Sequence, residues 1–302
     1  MRDKQTIQKT AMITISGRPN VGKSTLLNAL VGEKIAIVTN KPQTTRNRIL
    51  AVLNREETQL VFIDTPGYHA PRTRLGNYMV KVIRESVADV DAVILMVEPI
   101  PNIGAQEERL IGWIAANDVP SILVINKIDT VKKEELLEVI NLYQAAHKFD
   151  AIVPISAQKG DGLEELIKIL DGYALEGPQL FPDGMITDQP ERQIIAEIIR
   201  EKLLFCLQKE IPHGTAVEIT KFSEREDSEI IDVEATIYVE KQSHKGMVIG
   251  KQGAMLRQVG EMARKDIERF MGAKVYLETW VKVKERWRDS AYLLRNFGYT
   301  NE

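Results

Sequence analysis

The chain is poor in several things that would settle its class early. It has one cysteine, Cys206, and four histidines, His69, His147, His213 and His244, among 302 residues. One cysteine excludes an internal disulfide framework, and histidines so far apart lack the close pairing of a zinc site. Cys206 sits among Leu203, Leu204, Phe205 and Leu207 on a helical pattern, which reads as packing. Long hydrophobic runs are also lacking. Stretches such as Ala92 to Val97 and Ser121 to Ile125 fall far below the ~20 apolar residues of a membrane span. The opening Met1-Arg-Asp-Lys-Gln has no apolar segment of a secretory signal, so a cytoplasmic location is expected. There is no internal repeat and no low-complexity tract.

Net charge is small too, at -3, and over the whole chain it gives no sign of a nucleic-acid partner. The mean hides an asymmetry. Residues 210–240 hold nine acids and two bases, whereas residues 241–288 hold twelve bases and five acids. A basic stretch of this kind suits a phosphate backbone, although a solvated helix face is the commoner origin of charge alone.

What is present is alternation. From about residue 10, β-rich runs (MITIS, QLVFID, AVILMVE, SILVINK, AIVPISA) alternate with helical patterns (STLLNALVG, GNYMVKVIRESVA, EERLIGWIAAN, EELLEVINLYQAA, LEELIKIL). Such alternation predicts an α/β fold with a doubly wound, mainly parallel sheet. The segment Lys41 to Leu53 is expected to add an antiparallel edge strand. Residues 171–190 hold three glycines and three prolines without periodicity and read as a linker. A second, smaller α+β unit follows: a helix from Glu191, strands near Ala216 to Phe222 and Ile230 to Glu240, helices through 247–270, and a strand near Lys274 to Lys284. The expected domains are 1–172, a linker 173–190, a second unit 191–285 and a C-terminal tail 286–302.

Gly17-Arg18-Pro19-Asn20-Val21-Gly22-Lys23-Ser24 follows the strand MITIS and opens a helix at Thr25. A G-x4-G-K-S match in that context predicts a phosphate loop. Its backbone N–H groups and the helix N-terminus would face phosphate oxygens. Lys23 would reach the β- and γ-phosphates, and the Ser24 hydroxyl would ligate magnesium. Asp64-Thr65-Pro66-Gly67 follows the strand LVFI, which places Asp64 where open α/β sheets bind ligands. Asp64 is a candidate magnesium support through water, and the Gly67 amide a γ-phosphate sensor. Asn126-Lys127-Ile128-Asp129 follows SILVI. The Asp129 carboxylate can accept from guanine N1–H and N2–H2, which adenine cannot supply, so an ATP site is disfavoured. Asn126 can hold the loop, and the Lys127 stem can cover the base. Ser156, Ala157 and Gln158, after AIVPI, would bring a backbone amide toward guanine O6.

In this order the motifs resemble those of the translation-factor-related class of small GTPases. The resemblance implies GTP and GDP as ligands with magnesium, and a switch threonine that closes on the metal in the GTP state. Thr45, in Pro42-Gln-Thr-Thr-Arg46, fits that role better than Thr44. Lys23, Thr45 and Gly67 are then the catalytic candidates, and Ser24, Thr45 and Asp64 the metal ligands. Tyr68 stands where Ras-like enzymes place the glutamine that orients water, so slow intrinsic turnover is expected. Asn20 matches GTPases that use potassium in place of an arginine finger, which makes potassium activation a hypothesis for this chain.

Val248-Ile249-Gly250-Lys251-Gln252-Gly253 is a G-x-x-G loop between two helical patterns. Such a loop lets a nucleic-acid backbone approach closely, as in KH domains, which clamp about four single-stranded nucleotides. The order helix, strand, strand, helix, G-x-x-G, helix, strand resembles the type 2 KH arrangement. Trp280 and Trp287 lie nearby and are given no contacts. A G domain of this class joined to one KH domain, with the ending RWRDSAYLLRNFGY, resembles the Era family of bacterial GTPases over nearly the whole chain. That resemblance implies binding near the 3′ end of 16S ribosomal RNA, action in 30S subunit maturation and peripheral association with the inner face of the cell membrane; a monomer is expected. The alternative is a GTPase whose second unit binds a protein or acidic lipid.

Overall fold

The computed structural model describes residues 9–39, 41, 44–67, 73–88, 90–208, 211–226 and 228–299. The chain divides into two compact units. One comprises Met1–Ala36, Thr45–Ala70 and Met79–Asp188, the other Ile37–Thr44, Pro71–Tyr78 and Gln189–Glu302.

The first unit is built on strands β1 (Lys9–Gly17), β2 (Ile49–Arg55), β3 (Thr58–Asp64), β4 (Ala92–Val97), β5 (Ser121–Ile125) and β6 (Ala151–Pro154). Among the described residues these form one sheet in the order β2-β3-β1-β4-β5-β6, parallel except for β2. The helices are α1 (Lys23–Val31), α2 (Arg74–Ala88), α3 (Ala105–Asn117), α4 (Lys133–Ala146) and α5 (Leu163–Asp171). Side chains along a strand alternate between faces, and β4, buried at every position, shows where each face goes. Ala92, Ile94 and Met96 join Leu26, Leu27 and Leu30 of α1 and Leu166 and Leu170 of α5 in one core. Val93, Leu95 and Val97 join Leu110 and Ile114 of α3 and Val139 and Tyr143 of α4 in another. A two-sided core explains why this strand reads as a continuous apolar run. The chain enters β1 and returns on both sides of it, so the switch point of the sheet lies at the end of β1.

Two expectations need correction. Strand β2 begins at Ile49, so Lys41 and residues 44–48 are not part of it, and Pro42 and Gln43 lie outside the described residues. Nor do residues 173–188 run as a free connector. They form a short strand β7 (Leu175–Glu176) antiparallel to the start of β1, Thr187 bridges to Ala51, and Gln59 fixes the backbone of Leu180 and Phe181 through hydrogen bonds of 2.9 Å. Glycines and prolines make this stretch irregular without making it loose.

The second unit carries α6 (Glu191–Cys206), β8 (Ala216–Arg225), β9 (Ser228–Val239), α7 (Gln242–Ile249), α8 (Ala254–Met271), β10 (Lys274–Val283) and α9 (Ala291–Asn296). Its sheet has the order β10-β9-β8, with β10 parallel and β8 antiparallel to β9. Val259, Ala263 and Ile267 recur every fourth residue on α8 and meet Ile195, Ile199 and Leu203 of α6 over Val233, Ala235 and Ile237 of β9. Cys206 is half-buried beside Met262, with its sulfur 3.9 Å away.

The two tryptophans separate. Trp280 is 58% exposed, while Trp287 is fully buried, donates its indole N–H to the Gly214 carbonyl at 2.9 Å, and stacks on Tyr299. Residues 286–299 are thus part of the folded unit. Trp287→Ala should destabilise this unit by about 3–5 kcal/mol, the usual cost of emptying a large aromatic site. The urea midpoint of the transition followed by hydrogen exchange in residues 191–299 measures it.

Candidate functional site

Four loops leave the sheet at the carboxyl ends of β1, β3, β5 and β6, and they carry the four motifs. The loop after β1 runs into α1 with Gly22 at its helix N-cap, at φ 107°. A Cβ on Gly22 would run into Asn126 Nδ2, and only glycine adopts that backbone at little cost. Asn126, buried at the end of β5, fills this space usefully. Its Nδ2 donates to the Val21 carbonyl at 2.8 Å, and its Oδ1 accepts from Ala157 N–H at 2.9 Å. One carboxamide thereby ties the phosphate loop to two other loops. Gly67 lies against Pro19, and Thr65, fully buried, donates to the Ile15 carbonyl at 2.9 Å.

The proposed phosphate and metal groups converge. Lys23 is buried, and its Nζ donates to the Gly17 and Arg18 carbonyls at 3.1 and 3.0 Å. Ser24 Oγ donates to Asp64 Oδ2 at 2.7 Å and lies 2.9 Å from Thr45 Oγ1. Burial pushes the Asp64 carboxyl up to about 6, against the opposing pull of Lys23 and of hydrogen bonds from Ser24, Thr45 and Thr65. Burial likewise lowers the Lys23 ammonium to about 8, with Asp64 opposing. Asp64 Oδ1 is buried with no hydrogen-bond partner among the described residues. Three hard oxygen donors with one buried carboxylate oxygen left over fit a magnesium ion that takes its remaining ligands from phosphate and water. Among the described residues no cluster of three or more His, Cys, Asp and Glu side chains could hold a metal.

At the base end, Lys127 has a left-handed φ of 66°, and its Nζ donates to the Asn20 carbonyl at 2.8 Å. Ile128 opens a short 3-10 turn that also holds Asp129. Asp129 is exposed; its Oδ1 accepts from Ser156 Oγ at 2.7 Å, and this hydroxyl is the main cause of a carboxyl held below its usual range. Gln158 is exposed in the loop after β6, and Thr25 continues α1 behind Ser24. Tyr68 lies outside the described residues. Sequence reasoning missed Asn28, whose side chain receives Ile35 and Ala36 N–H at 3.1 and 2.9 Å and donates to the Ala36 carbonyl at 2.7 Å. No motif marks it; only the fold brings that segment back to α1.

In the second unit the G-x-x-G loop joins α7 to α8. Gly250 has φ 73°, and a Cβ there would meet Met255 N at 2.9 Å. Lys251 and Gln252 are exposed at the tip, while Ile249 is partly buried against the core. Val248, expected among the RNA-binding residues, is fully buried in that core. Its side chain anchors the loop and cannot touch a ligand. From Gly253 a groove of about 450 Å³ runs between α8 and β10, lined by Arg257, Gly260, Arg264, Leu277 and Thr279 among others.

A nucleotide-type switch point in one unit and, in the other, an α-β-β-α-α-β order with an exposed G-x-x-G tip define a P-loop GTPase carrying a type 2 KH domain. Comparison with known proteins agrees at both levels. Residues 12–127 match the family described as 50S ribosome-binding GTPase, and residues 210–288 match the KH domain. The GTPase Era of Clostridioides difficile (strain 630) is 51% identical over 97% of this chain and 99% of its own length. That of Ruminiclostridium cellulolyticum is 50% identical over 96% and 97%. Two crystal structures, each 38% identical and covering 97% of this chain and 100% of theirs, superpose with TM-scores of 0.93 and 0.94. The first is a tyrosine-to-alanine variant of Aquifex aeolicus Era bound to GDP·AlF4−, and the second is Era in complex with MgGDPNP and nucleotides 1506–1542 of 16S ribosomal RNA. The chain belongs to the Era family of GTPases.

Gly22→Ala should weaken guanine-nucleotide binding about 100-fold or more, because displacing Asn126 and straining φ together cost about 3 kcal/mol. Titration with a fluorescent GDP measures it.

Proposed function

We propose that this protein hydrolyses GTP to GDP and phosphate, and that its nucleotide state governs binding of the 3′-terminal region of 16S ribosomal RNA by the KH domain during 30S subunit maturation. The observation that carries the first half is the Ser24–Thr45–Asp64 cluster, in which residues from three segments meet at Asp64 Oδ2 and leave the buried Oδ1 spare. In this reading Ser24, Thr45 and Asp64 hold magnesium, directly or through water, and magnesium bridges the phosphates and offsets charge in transfer. Lys23 and the backbone of residues 17–25 bind the phosphates, and the Gly67 amide meets the γ-phosphate. Asp129 reads guanine, Asn126 and Lys127 frame the base, and the loop of Ser156, Ala157 and Gln158 approaches O6. Thr65 and Pro66 seat Gly67, with Tyr68 following in the position where Ras-like enzymes carry the water-orienting glutamine. Lys23 belongs to the chemistry because it stands where charge develops.

The RNA half is supported by the Gly250 to Gly253 tip with Lys251 and Gln252 exposed, and by the groove beside it. The family description of the G domain names the 50S particle, yet a full-length neighbour holds 16S RNA. The G domain is the shared part, so we follow the neighbour that matches the KH domain too. The switch reading is supported by the family resemblance, which implies that Thr45 closes on the metal and γ-phosphate only in the GTP state. Peripheral membrane association, a monomeric state and a cytoplasmic location rest on the resemblance and on the sequence; no helix among the described residues is long and apolar enough to cross a membrane.

Gly253→Asp sets a negative charge in open space beside the tip, at a left-handed φ of 79° that also strains the loop. It should lower affinity for a single-stranded 16S 3′-end oligonucleotide at least about tenfold, by losing phosphate contact, while GTP turnover is retained. Unchanged RNA binding would refute the role of the loop, and wild-type binding to acidic vesicles without RNA binding would favour the lipid alternative. Turnover should also be slow and faster in potassium than in sodium at matched ionic strength if Asn20 supports a potassium ion. Equal rates sink that reading.

A further inference from the structure

Two carboxylates outside every motif stand against the phosphate loop. Glu98 follows the end of β4; its carboxylate pairs with the Lys127 ammonium and lies 4.0 Å from Arg18 Nη2. Glu107, in the first turn of α3, is 1% exposed and pairs with Arg18 Nε. Beyond Arg18, neither oxygen of Glu107 has a hydrogen-bond partner among the described residues. A carboxylate in a first helical turn is favoured by the helix dipole, but removing a carboxylate from water needs a counter-charge. Arg18 supplies it. The sequence Glu107–Arg18–Glu98–Lys127 therefore alternates in sign and runs from α3, across the phosphate loop, to the base loop.

We infer that Glu98 and Glu107 are positioning residues of the guanine site, acting through Arg18 and Lys127 to hold the phosphate loop and the base loop at a fixed separation. The inference rests on the reading of residues 126–129 as the base loop. Lys127 is the pivot. Its left-handed backbone turns the side chain back toward Asn20, and Glu98 fixes the ammonium so that the aliphatic stem is laid where the base plane must pass. None of the four charged groups is among those clustered at the proposed metal position. Interactions present equally in the ground and transition states change KM and leave kcat alone. Loss of either carboxylate should thus affect nucleotide capture and not the chemical step.

The test is Glu98→Gln, which keeps the shape and removes the charge at a partly exposed position. Dissociation constants for GDP and for a non-hydrolysable GTP analogue should both rise roughly tenfold, the scale of one charge-assisted hydrogen bond. KM should rise with them, kcat should stay within about twofold, and Glu98→Asp should recover part of the loss. In a double-mutant cycle with Lys127→Met the two losses should overlap rather than add. Glu107→Gln should raise both dissociation constants in the same direction; because that site is buried, the Glu98 variants decide if it fails to fold. Unchanged dissociation constants, a fall in kcat at constant KM, or full additivity would overturn the assignment. A wild-type protein that binds no guanine nucleotide would overturn the base-loop reading with it, whereas tight wild-type binding with an indifferent Glu98→Gln overturns the positioning role alone.

Discussion

The nucleotide half of the molecule depends on one side chain passing behind a glycine. Asn126 leaves the end of β5, crosses the space that a Cβ on Gly22 would need, and satisfies the Val21 carbonyl and the Ala157 N–H. A buried carboxamide with those partners loses little on leaving water, and if either partner moves, a polar group is stranded at a cost of about 1–3 kcal/mol. The loops after β1, β5 and β6 are therefore coupled through hydrogen bonds before any ligand arrives. The parallel sheet supplies the rest of the rigidity, because β4 and β5 bury alternate residues in the cores on its two faces and β1 buries Ala11, Ile13 and Ile15 in one of them.

Much of this was legible in the sequence, for a physical reason. Strands buried on both faces leave continuous apolar runs, and motifs at their carboxyl ends have their direction set by the strand, so LVFI predicts where Asp64 points and SILVI where Asn126 does. The KH order was legible because each element has its own period, including the four-residue recurrence of Val259, Ala263 and Ile267. Long-range pairing was not legible. Residues 173–188 look like a linker because glycine and proline erase periodicity, yet their backbone is claimed by Gln59, a residue with no local mark. Glu98 and Glu107 were missed likewise, as a charge beside a strand and a charge in a first helical turn are ordinary until Arg18 is placed between them.

Charge in the second unit is sorted by element. The acids counted between residues 210 and 240 lie largely on β8 and β9, where Lys221 and Arg225 pair with Asp232. The bases beyond residue 241 include Lys251 at the tip and Arg257 and Arg264 in the groove. A chain with net charge near zero can thus present a phosphate-seeking surface, because folding separates the two signs that a whole-chain sum cancels.

Val248 and Lys251 stand three residues apart, one sealed in the core and the other exposed to solvent. The root of the loop answers to packing and its tip only to the ligand. The side chain at 251 can accordingly be exchanged without disturbing the scaffold, whereas Gln252, at a left-handed φ of 51°, accepts few replacements without strain; the tip is a graftable cassette with one open position and one that the backbone restricts.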